Sequence, residues 1–106
     1  MANRNSVIRS ARRNPAYLSS GEVAASLKLP SHVLAYWRTK FPLIRPLVDA
    51  SGRYRYATND LYLIRGIQHL VYVELYSIRG AQRILRLRGV EFVRAIGRGE
   101  ASAVSG

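Results

Sequence analysis

The chain has 106 residues, 48% hydrophobic and 22% charged, a composition typical of one folded globular domain. Fifteen arginines and two lysines stand against six carboxylates, so the formal net charge is +11. This charge favours nucleic acid as the partner, with an anionic membrane surface as the weaker alternative. The absence of cysteine excludes disulfides and thiolate metal sites, and two histidines with scattered carboxylates argue against a metallohydrolase.

The two ends of the chain differ in composition from its middle. Residues 1–16 contain four arginines and no acid, so we predict a flexible basic arm there. The small and polar residues 98–106 predict a flexible tail, which leaves 17–97 as the expected folded domain. No apolar run approaches the roughly 20 residues that span a bilayer, and no signal-peptide pattern opens the chain. We therefore expect no membrane partner.

Helix-capping signals predict two short helices in the first half of this domain. Residues 19–22 (SSGE) match a capping box and, with the apolar residues after them, predict a helix over 20–27. Pro30 breaks this helix, and Ser31 as N-cap predicts a second helix over 32–40. Two short helices joined by a tight turn are typical of a helix-turn-helix.

The remaining elements complete a winged layout. The turn residues 49–52 and the period-two alternation of residues 53–56 predict a β-hairpin with strands at 44–47 and 53–56. The spacing of apolar residues after it predicts helices over 60–73 and 77–88. The apolar residues of 90–96 predict a short closing helix, which either folds back on the third helix or pairs with a second chain. The predicted fold class is mainly α, a winged helix-turn-helix whose wing is a small two-stranded hairpin.

The second predicted helix offers side chains that could reach DNA. In a winged helix-turn-helix this element enters the major groove, where its exposed residues contact bases and phosphates. The alternative is a solvated helix face without such a role. Trp37 completes an apolar stripe and is expected in the core instead. The candidate contact residues are Ser31, His32, Ala35, Tyr36, Arg38 and Thr39.

The predicted wing alternates arginine and tyrosine. Arg53 and Arg55 fall on one face of the strand, and Tyr54 and Tyr56 fall on the other. Arginines on a hairpin bind phosphates in bidentate fashion or enter a narrow minor groove. We therefore predict that Arg53, Tyr54 and Arg55 bind DNA, the alternative being an edge strand protected by its charge.

Arg79, Arg83 and Arg86 share one face of the fourth predicted helix through their spacing of four and three residues. This face is either a second phosphate-binding stripe or an ordinary solvated surface. His69 has no second potential ligand near it in the predicted helix, and we expect no metal site. No nucleophile–base pair or acid pair is evident, and we expect no catalytic residues and no cofactor.

Six segments, in this order and spacing, resemble the DNA-binding domain of the MerR family. They are LSSGEVA at 18–24, VLAYW at 33–37, FPLIRP at 41–46, GRYRY at 52–56, IRGIQHL at 64–70 and YSIRGAQ at 76–82. The resemblance implies a winged helix-turn-helix that binds an inverted repeat as a dimer. It further implies transcriptional control through distortion of the promoter, with RNA polymerase as a further partner.

Three departures from the family's pattern change these expectations. Ala35 and Arg38 stand where the family usually has an arginine and an acid, and Tyr54 stands at the usual wing arginine. Family members normally dimerise through a long helix after the fourth, followed by an effector domain. Only residues 89–106 follow here. We therefore expect a monomer or a weak, DNA-promoted dimer, and no effector site.

Together these observations predict a non-enzymatic protein of the bacterial cytoplasm and nucleoid. It binds double-stranded DNA sequence-specifically in transcription regulation, with helix 32–40 in the major groove and wing 53–56 on the backbone. The alternative is an excisionase-like or nucleoid-associated protein that bends DNA with little sequence choice. The two alternatives share one fold.

Overall fold

The computed structural model describes residues 17–103, so the predicted basic arm 1–16 and the last three residues of the predicted tail lie outside the described residues. Five helices and three short strands make up the described part. The strands are β1 (Tyr17–Ser19), β2 (Leu47–Val48) and β3 (Tyr54–Ala57). The helices are α1 (Ser20–Leu27), α2 (Ser31–Lys40), α3 (Thr58–Gln68), α4 (Ile78–Arg88) and α5 (Val90–Gly97). This arrangement confirms the predicted mainly helical, winged helix-turn-helix fold.

The wing sheet has three antiparallel strands in the order β1-β3-β2, one more than the predicted hairpin. The prediction omits β1 because a three-residue strand has too little alternation to be recognised. The strand predicted over 44–47 begins only at Leu47, since Pro46 has no N–H to donate to the ladder. The strand predicted over 53–56 is displaced by one residue. The central position of β3 gives it a neighbour on each edge.

Capping interactions define the two helices of the helix-turn-helix. Ser19 Oγ accepts the amide of Glu22 at 3.1 Å, and the Glu22 carboxylate accepts that of Ser19 at 2.8 Å, which confirms the predicted capping box. α1 ends at Leu27, and the C-cap Lys28 has a left-handed φ of 56°. The amides of Lys28 and of the next residue donate to carbonyls in the last turn of the helix. The N-cap predicted at Ser31 is wrong by one residue. The carbonyl of Pro30 accepts the first amides of α2, so Ser31 is already helical.

The third helix begins two residues before its predicted start at 60, and its α-helical part ends before the predicted residue 73. Its first residue is Thr58, because Asp60 reaches back and accepts the amide of Ala57 at 2.9 Å. Of the helix predicted over 60–73, only the part up to Gln68 is α-helical, and a π-helical turn follows. A π-turn contains one more residue than an α-turn, which the spacing of apolar residues does not reveal.

The later helices follow the prediction closely. Ser77 Oγ accepts the amide of Gly80 at 2.9 Å, so Ser77 is the N-cap and α4 begins at Ile78, one residue after the predicted start. α5 is the predicted closing helix, and it folds back on α3. Ala101 and Ala103, in the predicted tail, pack against the core, so the packed part of the chain extends beyond residue 97.

The core lies beneath the helix-turn-helix and the sheet and continues between α3 and α5, which approach each other closely. Gly66 faces Val93, and Gly97 lies against the carbonyl of Tyr62, with no room for a Cβ atom at either glycine. Only glycine therefore allows this contact. The largest fully buried side chains of the core are Trp37, Tyr56 and Phe41, which confirms the prediction for the tryptophan.

Replacing Gly66 by alanine is expected to lower the free energy of unfolding by about 1–3 kcal/mol, because the methyl group would force α3 and α5 apart. Gly21→Ala is the matched control. Gly21 is exposed in α1, the nearest atom to its added Cβ would be Ser19 Oγ at 3.9 Å, and alanine favours a helix. Urea denaturation measures both variants. Equal stabilities would contradict the close helix packing.

Candidate nucleic-acid interface

α2 has one face in the core and one face in solvent. Leu34 and Trp37 are buried, at 1% and 2% exposure, and hold the helix on the body of the protein. The predicted contact residues that lie exposed are Ser31, His32, Tyr36 and Thr39, while Ala35 and Arg38 are partly buried. The exposed face therefore presents hydroxyl, imidazole and phenol groups to a partner.

Arg38 joins α2 to the wing sheet. Its Nη1 donates to Tyr56 Oη at 2.8 Å, and its guanidinium lies over the ring of Tyr54, 4.2 Å from the centroid. Both rings belong to one face of β3, with centroids 6.4 Å apart, as the alternation in the sequence predicts. The arginine thus fixes the orientation of the helix relative to the wing.

Asp49 organises the turn between β2 and β3. Its Oδ1 accepts the hydroxyl of Ser51 at 2.7 Å and the amides of Ser51 and Arg53 at 2.9 and 3.0 Å, and its Oδ2 accepts Arg55 Nε at 3.0 Å. These hydrogen bonds, that of the Ser51 hydroxyl first, hold the pKa of Asp49 well below its ordinary value. Gly52 completes the turn at a φ of 85°, in the left-handed region. The side chain of Asp49 therefore connects the turn to β3.

The three predicted DNA-binding residues of the wing have different surroundings. Arg55 is partly buried and ion-paired with Asp49. Tyr54 is 37% exposed and is covered in part by Arg38. Arg53 is exposed at the turn and has no carboxylate within ion-pair distance in the described part of the chain. Of the two arginines, Arg53 is the one without an ion-paired carboxylate among the described residues.

The arginine face of α4 lies next to the end of α2. Gln82 Nε2 donates to the carbonyl of Lys40 at 2.8 Å, which brings the two helices together. Lys40 and Arg86 line the groove between them, a cavity of about 370 Å³. The other predicted residues of this face, Arg79 and Arg83, are exposed, and neither is ion-paired among residues 17–103. The cationic surface therefore continues from α2 along α4.

All six acids of the sequence are engaged within the fold. Three of them cap helices or hold the wing turn, and these are Glu22, Asp60 and Asp49. Glu91 and Glu100 bind Arg98 at 2.7 and 3.0 Å, and the hydrogen bond from Arg98 lowers the pKa of Glu91. The side chain of Glu74 is 5% exposed and lies 2.8 Å from His69 Nε2. Within residues 17–103, no acid forms an ion pair with the arginines of α4 or with Arg53 at the wing tip.

Two residues of this surface have roles that the sequence predictions miss. The signal for Asp49 is weak, an aspartate two residues before a Ser-Gly pair, which indicates a turn but not its four hydrogen bonds. Arg38 contacts a tyrosine 18 positions away, which no local pattern reveals. Between residues 17 and 103, no three His, Asp or Glu side chains converge as a metal site would require.

Replacing Asp49 by asparagine is expected to loosen the wing without unfolding the protein. The neutral amide removes the ion pair with Arg55 and weakens the hydrogen bonds from the turn amides. Amide hydrogen exchange followed by NMR should show lower protection at Ser51 and Arg53 and unchanged protection in α3. Glu91→Gln, which removes a carboxylate from α5, is the matched control and should leave the wing unchanged.

The amide protection measured in this experiment should depend on pH. The pKa of Asp49 in the folded protein lies below its unfolded value near 3.8, so its stabilisation of the wing is complete above that pH. The stabilisation disappears as the pH falls through the lower, folded-state pKa. Protection at Ser51 should decline in this acidic range in the parent protein, and Asp49→Asn should abolish that decline.

Comparisons with known proteins agree with this geometry. The sequence profile described as MerR HTH family regulatory protein matches residues 18–87, about two thirds of the chain, from the helix-turn-helix through the wing to most of α4. No curated protein and no solved structure matches the chain significantly. Among the described helices, none has the length and apolar character needed to cross a membrane. The chain belongs to the MerR family of helix-turn-helix regulatory proteins, which bind DNA and regulate transcription.

Proposed function

We propose that this protein binds double-stranded DNA with sequence preference and regulates transcription in the bacterial cytoplasm and nucleoid. Membership of the MerR family supports DNA binding and regulation. The observation that supports the finer proposal is the exposed polar face of α2, which Arg38 holds beside the arginine-bearing wing. In such a layout α2 lies in the major groove and the wing lies on the sugar-phosphate backbone.

The proposed base contacts lie on α2. Ser31, His32 and Tyr36 are exposed, and their hydroxyl, imidazole and phenol groups can donate and accept hydrogen bonds. Base edges in the major groove present both kinds of partner, so these side chains suit direct readout. Arg38 donates to Tyr56 through one nitrogen, and we propose that its remaining donors face DNA.

The proposed phosphate contacts lie on the wing and on α4. Arginines bind phosphate in bidentate fashion, and those of α4 and of the wing tip have no acid partner in the described chain. The hydrogen bond from Gln82 to Lys40 keeps α4 close to the helix proposed to enter the groove. The residues proposed for these contacts are Arg53, Tyr54, Arg55, Arg79 and Arg83.

We propose that the free protein is a monomer or a weak dimer and that DNA promotes pairing. The apolar residues Val93 and Ile96 of α5 are buried against the same chain, at 0% and 4% exposure, so they offer no dimer surface. RNA polymerase at promoters is the further partner that we propose.

Salt titration tests the electrostatic part of the proposal. If about five to eight phosphates are neutralised, the slope of log K against log salt should be about −4 to −7. Arg53→Ala should flatten this slope by about one unit, whatever the DNA sequence. Arg98→Ala is the matched control, because it removes the same charge from a side chain already bound by Glu91 and Glu100. A slope near zero, measured by fluorescence anisotropy, would refute DNA binding.

Selection of bound sequences from random DNA tests the regulatory part. We expect an enriched inverted repeat, because two paired modules place their recognition helices in successive major grooves. Tyr36→Ala should change the preferred base at its contact, at a cost of about 1–3 kcal/mol. Leu87→Ala, an exposed change on α4, should leave the selected sequence unchanged. Tight binding without enrichment would favour the excisionase-like or nucleoid-associated alternative.

A further inference from the structure

None of the residues that line the groove between α2 and α4 is among the proposed DNA contacts. The groove has a volume of about 370 Å³, within the roughly 300–1,000 Å³ that small-molecule sites occupy. One side is formed by residues 40–43, at the end of α2 and in the turn after it. The other side is formed by Gln82, Leu85 and Arg86 of α4. Its size and shape therefore suit a small ligand.

The apolar part of the groove belongs to the core. Phe41 is fully buried and Leu85 is 7% exposed, while Leu43 is 40% exposed and reaches solvent. The Phe41 ring meets that of Trp37 edge to face, with centroids 6.3 Å apart. The amide of Ile44 donates to the carbonyl of Phe41 at 2.9 Å in the turn after α2. The groove therefore offers an apolar surface that a ligand can cover.

Two cations line the same groove. Lys40 ends α2 and Arg86 lies on α4, and both are exposed. Neither forms an ion pair within residues 17–103, and none of the described residues that line the groove is acidic. Lys40 Nζ lies 5.6 Å from the centroid of the Tyr36 ring, near the outer limit of a cation–π contact. Both cations are therefore available to an anion that lies beside the apolar surface.

A hydrogen bond connects the two sides of the groove. Gln82 Nε2 donates to the carbonyl of Lys40 at 2.8 Å, across 42 residues of sequence. The two sides are thus already in place before a ligand binds, which lowers the entropic cost of binding. No local pattern in the sequence indicates this site, because its two segments lie so far apart along the chain.

We propose that this groove binds a small organic carboxylate, an anion with an apolar alkyl or aryl body. The body packs on Phe41, Leu43 and Leu85. The carboxylate binds Lys40 and Arg86, since a guanidinium and an ammonium both form charge-assisted hydrogen bonds with carboxylate oxygens. A DNA phosphate would satisfy the cations but would leave the apolar side chains without a partner. The site goes beyond the proposed function, because its occupation requires no DNA.

NMR titration of isotopically labelled protein with phenylbutyrate tests the site in the absence of DNA. The backbone amide signals of Leu43 and Arg86 and the side-chain amide signal of Gln82 should shift in a saturable way, and those of α5 should not. A Kd of about 0.1–1 mM is expected for a ligand of this size. Phenylbutanol, which is uncharged, should bind about tenfold more weakly or less tightly still, because it cannot form the charge-assisted bonds.

Removal of the two cations tests their part in binding. Lys40→Gln/Arg86→Gln should weaken the binding of phenylbutyrate by about tenfold or more and leave that of phenylbutanol unchanged. Lys28→Gln/Arg65→Gln is the matched control. It also removes one lysine and one arginine, both exposed, outside the groove and without an ion pair in the described chain. This control pair should bind both ligands like the parent protein.

Leu43→Asn tests the apolar part. Leu43 is partly in solvent, so the variant is expected to fold, as circular dichroism would verify for every variant. It should weaken the binding of both ligands, because the acid and the alcohol share the apolar body. An unchanged affinity of this variant for both ligands would contradict the proposed site.

Three further results would overturn the proposal. They are the absence of saturable shifts at the groove, equal affinity for the acid and the alcohol, and equal weakening by the two double variants, which would indicate general attraction to a cationic protein. None of them bears on DNA binding. Conversely, failure of the protein to bind any duplex would refute the proposed function and leave the groove and its ligand intact.

Discussion

The contact of Arg38 with Tyr54 and Tyr56 is the constraint on which the geometry of the proposed interface depends. Tyr56 is fully buried in the central strand, and a buried hydroxyl without a partner is costly, so the hydrogen bond from Arg38 matters for the core as well as for the surface. The same guanidinium packs on Tyr54, which pairs with the edge strand of the wing. One side chain therefore joins α2, the wing and the core.

The acidic and the basic side chains of the protein have different roles. The acids serve the fold: they cap α1 and α3, hold the wing turn and clamp Arg98 near the end of the described chain. The arginines of α4 and of the wing tip remain without such partners among the described residues and are available to a polyanion. This division is what makes a net charge of +11 compatible with a packed domain.

The sequence predicts those parts of the molecule that depend on neighbours a few residues apart. The capping box at Ser19 and the N-cap at Ser77 are bonds over three residues, so their patterns are visible in the sequence. The start of α2, set by the backbone carbonyl of Pro30, has no side-chain signature.

The contacts that a single sequence hides are tertiary. β1 exists only because β3 lies beside it, and the small size of Gly66 has meaning only because Val93 packs on it. For the candidate interface, helical and strand periodicity predict the exposed faces of α2 and α4 but not which arginines are already ion-paired within the protein.

The excess of unpaired positive charge also links the lifetime of the protein to the fraction of its copies that is bound to DNA. Like charges repel in the compact free protein, and any polyanion that binds the folded state relieves this repulsion. At a free ligand concentration of about 100 times Kd, binding adds about 2.7 kcal/mol to the free energy of unfolding. Proteases act mainly on transiently opened chains, so DNA-bound copies should persist longer than free ones. The supply of binding sites would then regulate how much of the protein the cell retains.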